Sequence, residues 1–407
     1  MRATPYLTNA MPAYRQPLDA RDAETLGLAA ADRVAQVLAL RENNDATPLH
    51  ALPGLAEELG LGSLHVKDEG FRLGLGSFKA LGGAYALMIL VQEEAERRLK
   101  RKVTIDELMS EEVRAIAATM TFACATDGNH GRSVAQGAAL MGARAVIFVH
   151  SGVSDARVQA IARFGAEMVR IDGNYDFSVA EAARVATEQG WTILSDTSWP
   201  GYEYVPGLVT QGYTAMVREI CAALPQPPTH VFLQAGVGGF AAAVAGHTAI
   251  ALGDKRPHVT VVEPARAACL YESVKAGHTV KVEETEPTVM AMLECYEPSI
   301  VAFRILERVA DGFMTVDEDS APEVMRLLAL PVAGDPPVVA GESGGAGLAG
   351  VLTVLRDQEL AAKIGLNSQA RVLVVNTEGA TDPALYESIV GHSAEAVLKG
   401  APYDDRN

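Results

Sequence analysis

Cations are scarce in this chain of 407 residues: 34 Lys and Arg stand against 51 Asp and Glu, a formal net charge of −17. That sign is wrong for a surface that must neutralise phosphate backbones, so nucleic acid is not an expected partner. Cysteine is scarcer still. The four, Cys124, Cys221, Cys269 and Cys295, show no CxxC spacing and adjoin no His pair of metal-ligand type, so no metal is expected. Four free thiols are the expectation for a reducing compartment, with a Cys269–Cys295 pair as the alternative. Long hydrophobic runs are missing too. Stretches such as Ala143–Val149 and Ala370–Val375 fall far short of the roughly 20 residues that a membrane helix needs. The first residues lack the cationic start and apolar middle of a secretory signal, so a cytoplasmic protein with no membrane partner is expected. No GxxxxGK[ST] loop occurs, which counts against a nucleotide-binding module.

What is present is alternation. Short β-rich runs at Leu64–Lys67, Ala143–Val149, Glu167–Ile171, His230–Gln234, His258–Glu263 and Ala370–Asn376 are separated by segments of helical period. Those segments are Phe78–Leu99, Gly131–Met141, Ser154–Phe164, Phe177–Gln189, Leu208–Leu224, Gly238–Leu252 and Ala346–Lys363. The pattern predicts an α/β protein with a parallel sheet covered by helices on both faces. The charged stretch Gln92–Glu112 reads as a solvated helical face. The first 45 or so residues carry no sheet pattern and are expected to wrap the body.

Three segments carry chemistry. In Gly74-Leu75-Gly76-Ser77-Phe78-Lys79-Ala80-Leu81-Gly82-Gly83 a lysine stands at a loop-to-helix junction behind Ser77, a natural N-cap. A lysine held in a partly apolar loop has an amine available for Schiff-base formation. In Ala125-Thr126-Asp127-Gly128-Asn129-His130-Gly131 a glycine-bracketed turn offers Asn129 as a donor and Asp127 as a base. In Gln234-Ala235-Gly236-Val237-Gly238-Gly239 successive backbone N–H groups at a helix start suit a phosphate. Alone, each is open to a bland reading: a surface lysine, a strand-to-helix turn, a short glycine run.

Together, in this order, the three resemble the fold-type II family of pyridoxal phosphate enzymes, which includes threonine dehydratase, serine racemase and the tryptophan synthase β chain. The resemblance spans most of the chain. It implies two unequal, open, twisted-sheet lobes with helices on both faces and the cofactor in the cleft. The larger lobe would hold 1–83 and 198–407, and the smaller, mobile one 84–197. By match, Lys79 is the Schiff-base lysine and Asn129 the partner of the cofactor's 3-oxygen. Gly236, Val237, Gly238 and Gly239 form the phosphate cup, and Thr377 stands against the pyridine nitrogen. Gly341-Glu342-Ser343-Gly344-Gly345-Ala346 either lines the cofactor's other edge or is only a turn before a helix.

The departures from the dehydratases narrow the family further. Asp127 stands where dehydratases and racemases carry Ser, and a second acid, Asp196, lies in a turn-rich DTSWPGY segment. With FKALGG, TDGNHGR, QAGVGG and NTEGATD, this combination resembles the diaminopropionate ammonia-lyases. That resemblance implies α,β-elimination of 2,3-diaminopropionate, L and D, to pyruvate and ammonia by a homodimer. Lys79 would serve as base on one face of the substrate and Asp127 on the other, and Asp196, and in part Asp127, would hold the β-ammonium. The alternatives are a serine or threonine dehydratase, which shares the lysine, turn and phosphate loop, and a non-catalytic pyridoxal phosphate-binding protein.

Overall fold

The computed structural model describes residues 4–126, 128–173, 175–332 and 334–400. Asp127 lies outside the described residues. Eleven strands occur among them: β1 Tyr6–Thr8, β2 Leu49–Ala51, β3 Ser63–Asp68, β4 Thr121–Ala125, β5 Arg144–His150, β6 Glu167–Ile171, β7 Thr192–Ile193, β8 His230–Gln234, β9 His258–Pro264, β10 Gly312–Val316 and β11 Arg371–Asn376. The chain divides into two compact units. The first comprises Met1–Gly27, Ala46–Phe71 and Met216–Asn407, the second Leu28–Asp45 and Arg72–Ala215. No helix among the described residues is long and apolar enough to cross a membrane.

The first unit holds a seven-stranded sheet in the order β1-β10-β9-β8-β11-β3-β2. Its five inner strands are parallel, and every residue of β8 and β10 is buried, as expected of strands with helices on both faces. Both edges are antiparallel, because β1 and β2 are three-residue strands laid against β10 and β3. They are too short to register as a period in sequence. Strand β1 also ties part of the N-terminal stretch into the sheet, where only wrapping was expected. Val66, Phe232, Val262 and Val374 of four adjacent strands pack with Leu348 and Val351 of the helix Ala346–Arg356 into one apolar core. The expected helix Ala346–Lys363 stops at Arg356, since Asp357 adopts an extended backbone and its side chain accepts from Leu360 N, starting a new helix at Gln358. Residues 345–350 have GxGxxG spacing. They open a helix with no strand among the described residues of 331–345, unlike a dinucleotide fingerprint.

The second unit holds a four-stranded parallel sheet, β6-β5-β4-β7. The charged stretch 92–112 is laced by exposed pairs, Glu94 with Arg97 and Arg98, and Arg101 with Glu107 and Glu112. The 21-residue helix Lys79–Leu99 runs through this unit and is buried along most of its first three turns. Its small residues Gly82, Gly83 and Ala84 let two helices approach closely. A Cβ on Gly137, in the helix Asn129–Met141, would lie 2.8 Å from Ala84 Cα. A Cβ on Gly212, at the end of the helix Tyr204–Gly212, would lie 2.9 Å from both Gly82 Cα and Leu81 O. Backbone cannot yield as a flexible side chain can. Gly212→Ala is therefore expected to destabilise the protein by about 1–3 kcal/mol through overpacking, read as a lower urea midpoint with unchanged slope. An unchanged midpoint would show that the helix carrying Lys79 is not clamped there.

Candidate active site

In the second unit, chemistry collects at the carboxyl ends of adjacent parallel strands β4 and β7, where loops lead into helix starts. Strand β4 delivers Thr126, Gly128, Asn129 and His130, and β7 delivers Leu194, Ser195 and Asp196. Thr126 organises its turn, its hydroxyl accepting from Gly128 N at 3.0 Å and Gly131 N at 3.1 Å. Gly128, at φ +152°, takes a backbone conformation that a side chain would resist. Asn129 follows it, buried in the first turn of the helix Asn129–Met141. The Asp196 segment is pinned by Tyr202. That hydroxyl accepts from Ser195 N at 3.1 Å and donates to Ile193 O at 2.8 Å, while its ring stacks on Trp199 with centroids 4.2 Å apart.

Lys79 opens its helix, but Ser77 is not the cap. Phe78 takes that place with a helical backbone and no side-chain bond, and Ser77 is buried one residue earlier. Lys79 Nζ donates to Asp196 Oδ2 at 2.8 Å, an ion pair whose side chains are 24% and 14% exposed. Burial by itself pushes the Asp196 carboxyl up, yet the Lys79 ammonium, with smaller help from His130 and a backbone N–H, more than offsets this and holds it well below the usual carboxylate range. Behind the pair lies His130, 3% exposed, with Nε2 2.8 Å from Leu194 O. A carbonyl only accepts, so Nε2 carries the proton. In the neutral ring Nδ1 then presents a lone pair; it has no hydrogen-bond partner and stands 4.0 Å from Asp196 Oδ2. Burial pushes the His130 imidazole down, toward its neutral form.

In the first unit, the segment between β8 and the helix Gly239–Leu252 is the glycine loop. Gly238 caps that helix at φ +97°, with no side-chain bond and no acid in the first turn, so its positive end is left to an anion. A Cβ on Gly236 would meet Cys295 Sγ at 2.8 Å, and one on Gly238 would meet Ala302 and Leu270 at 3.0 Å, so glycine is required for the loop to lie this close to its neighbours. Cys124, Cys221, Cys269 and Cys295 are free thiols. At the end of β11, Thr377 is buried, its N–H donating to Gly344 O at 3.2 Å. The turn 341–345 backs onto this strand end, with Gly341 N donating to Glu378 O at 3.0 Å.

The family model for pyridoxal-phosphate dependent enzymes matches residues 40–378. A diaminopropionate ammonia-lyase from Salmonella typhimurium is 38% identical over 364 residues, covering 87% of this chain and 90% of its own. The same enzyme from Escherichia coli is 40% identical over 359 residues, covering 86% and 88%. A crystal structure of the Escherichia coli diaminopropionate ammonia lyase, in complex with an aminoacrylate-PLP azomethine reaction intermediate, superposes with a TM-score of 0.85 at 36% identity, covering 95% of this chain and 96% of that one. The chain belongs to the diaminopropionate ammonia-lyases, a family of pyridoxal-phosphate dependent enzymes.

Its residues fit that cofactor. An uncapped helix end behind a glycine loop suits the phosphate, a partly buried lysine amine suits the aldehyde, and a buried hydroxyl at the end of β11 suits the ring nitrogen. Membership in the family does not by itself single out His130 or Gln234. Both lie inside quoted motifs, yet only the fold shows His130 beside Asp196 and Gln234 beside Thr377.

The ion pair has a pH signature in the cofactor-free protein. A carboxyl whose pKa is depressed by folding contributes stability that is present above its unfolded pKa and is lost as pH falls through the folded one. The stability difference between the wild type and Asp196→Asn is therefore expected to be fully present above about pH 4 and to shrink only below it. Urea unfolding between pH 7 and pH 3 measures this, and a difference already gone at pH 5 contradicts the pairing.

Proposed function

We propose that this protein converts 2,3-diaminopropionate to pyruvate and two molecules of ammonia, and that it acts as a cytoplasmic homodimer. The observation that carries this reading is the carboxylate of Asp196 already holding an ammonium, that of Lys79, at 2.8 Å. A carboxylate at that distance from the amine that carries the cofactor suits a substrate with a second ammonium on its β-carbon. A hydroxy amino acid would leave the charge unanswered.

We assign cofactor binding to Lys79 through its amine, to Asn129 toward the 3-oxygen, to Gly236, Val237, Gly238 and Gly239 at the phosphate, and to Thr377 at the ring nitrogen. When bound, pyridoxal phosphate supplies an electron sink conjugated to the substrate's Cα and so lowers the barrier to losing the α-proton. Lys79 would be the base that takes that proton from the L-isomer. Asp127 takes it from the opposite face for the D-isomer. Asp196 keeps the β-nitrogen protonated, so that it departs as neutral ammonia with the electron pair of its bond to carbon. Addition of water to the remaining unsaturated amine then gives pyruvate and the second ammonia.

Purified protein loaded with cofactor is expected to release pyruvate from both isomers of 2,3-diaminopropionate at rates well above those with L-serine, L-threonine or D-serine. Preference for a hydroxy amino acid would keep the cofactor and remove the proposed role of Asp196. Turnover of one isomer alone would remove the two-base assignment.

A further inference from the structure

Gln234 is the last residue of β8, and its side chain, 1% exposed, reaches across to the end of the neighbouring strand β11. Its Nε2 lies 2.6 Å from Gly344 O, 3.0 Å from Val375 O, 3.4 Å from Ser343 O and 3.0 Å from Thr377 Oγ1. Three of these four are carbonyl oxygens, which only accept. The amide must therefore turn its nitrogen toward them, and its orientation is fixed by its surroundings. Its Oε1 is left buried without a partner, so this orientation is held at a cost.

An amide nitrogen has hydrogens to give and no lone pair to offer. Thr377 Oγ1 can only accept from it, so the hydroxyl proton of Thr377 cannot point back at Gln234. Among the described residues Gln234 is the one hydrogen-bond partner of Oγ1, and the Thr377 N–H is already taken by Gly344 O. What this residue has left to present is an O–H donor.

We infer that Gln234 is a positioning residue that sets the direction of the Thr377 hydrogen bond, making the hydroxyl a donor to the cofactor's ring nitrogen and so favouring the unprotonated ring. The inference rests on the placement of Thr377 at that nitrogen. A pyridine nitrogen with its lone pair accepts from such a hydroxyl, whereas a protonated one has nothing to accept with. An unprotonated ring is the weaker electron sink. It suits a reaction in which the leaving group drains charge from Cα as soon as it forms, and it disfavours chemistry that needs a long-lived carbanion.

The test is the 15N chemical shift of the ring nitrogen in holoenzyme loaded with ring-labelled pyridoxal phosphate, alongside the affinity for the cofactor. The wild type is expected to show an unprotonated nitrogen that accepts a hydrogen bond. Gln234→Met is expected to move the resonance away from that position and to weaken cofactor retention about tenfold, the loss of one oriented hydrogen bond. Thr377→Val is expected to move the resonance to that of an unbonded nitrogen, and Thr377→Ser to leave it in place. If Gln234→Met does not fold, Gln234→Asn, whose amide stops one carbon short of Oγ1, replaces it. A protonated nitrogen in the wild type overturns the inference. So does a shift in Thr377→Val with none in either Gln234 variant, a result that leaves the placement of Thr377 standing. No shift in Thr377→Val removes Thr377 from the ring nitrogen, and the inference falls with that placement.

Discussion

A lysine ammonium and an aspartate carboxylate 2.8 Å apart, both largely withdrawn from water, are the interaction around which the second unit is arranged. Such a pair is poor evidence for stability, because desolvating two charges costs about as much as their attraction returns. It is better evidence for chemistry, since groups with shifted proton affinities gather where reactions occur. Each partner is held by the packing around it. Close glycine contacts set the helix that begins at Lys79, and Tyr202 grips the backbone on both sides of Leu194, just ahead of Asp196. The buried imidazole of His130 completes the surroundings with a lone pair and no competing proton donor.

The first unit works through directed hydrogen bonds and a helix start with no side-chain cap. Its glycine loop is shaped by the neighbours packed beneath it, and the helix behind it has no acidic side chain in its first turn. The end of β11 is framed by the turn 341–345 and by Gln234, which together leave Thr377 a single hydroxyl proton to give. Both units thus present chemistry at the carboxyl ends of parallel strands, where chain direction changes and backbone N–H groups face outward.

Much of this was legible in the sequence. Six parallel strands, β3, β5, β6, β8, β9 and β11, stood out, and the three motifs marked Lys79, Asn129 and the glycine loop, whereas the buried inner strand β10, Gly-Phe-Met-Thr-Val, did not. Strand β4, Thr-Phe-Ala-Cys-Ala, was obscured because small residues carry little β preference, and the edge strands β1 and β2 were too short to show a period. The Lys79–Asp196 pair spans 117 positions and the Gln234–Thr377 bond 143, separations that no local pattern encodes. Ser77 was a reasonable cap by residue type. The helical backbone of Phe78 moved the cap one position on, because capping is decided by conformation as well as chemistry.

The measurement that bears most directly on the role of Asp196 compares a substrate whose β-substituent is a cation with one whose β-substituent is neutral. In the wild type and in Asp196→Asn, kcat/KM is determined for L-2,3-diaminopropionate and for L-β-chloroalanine, whose leaving group is neutral before departure. If Asp196 holds the β-ammonium, the variant lowers the diaminopropionate-to-chloroalanine ratio by about ten- to a hundredfold, the value of one charge-assisted hydrogen bond. A ratio that stays the same while both rates fall together would mean that Asp196 serves Lys79 alone.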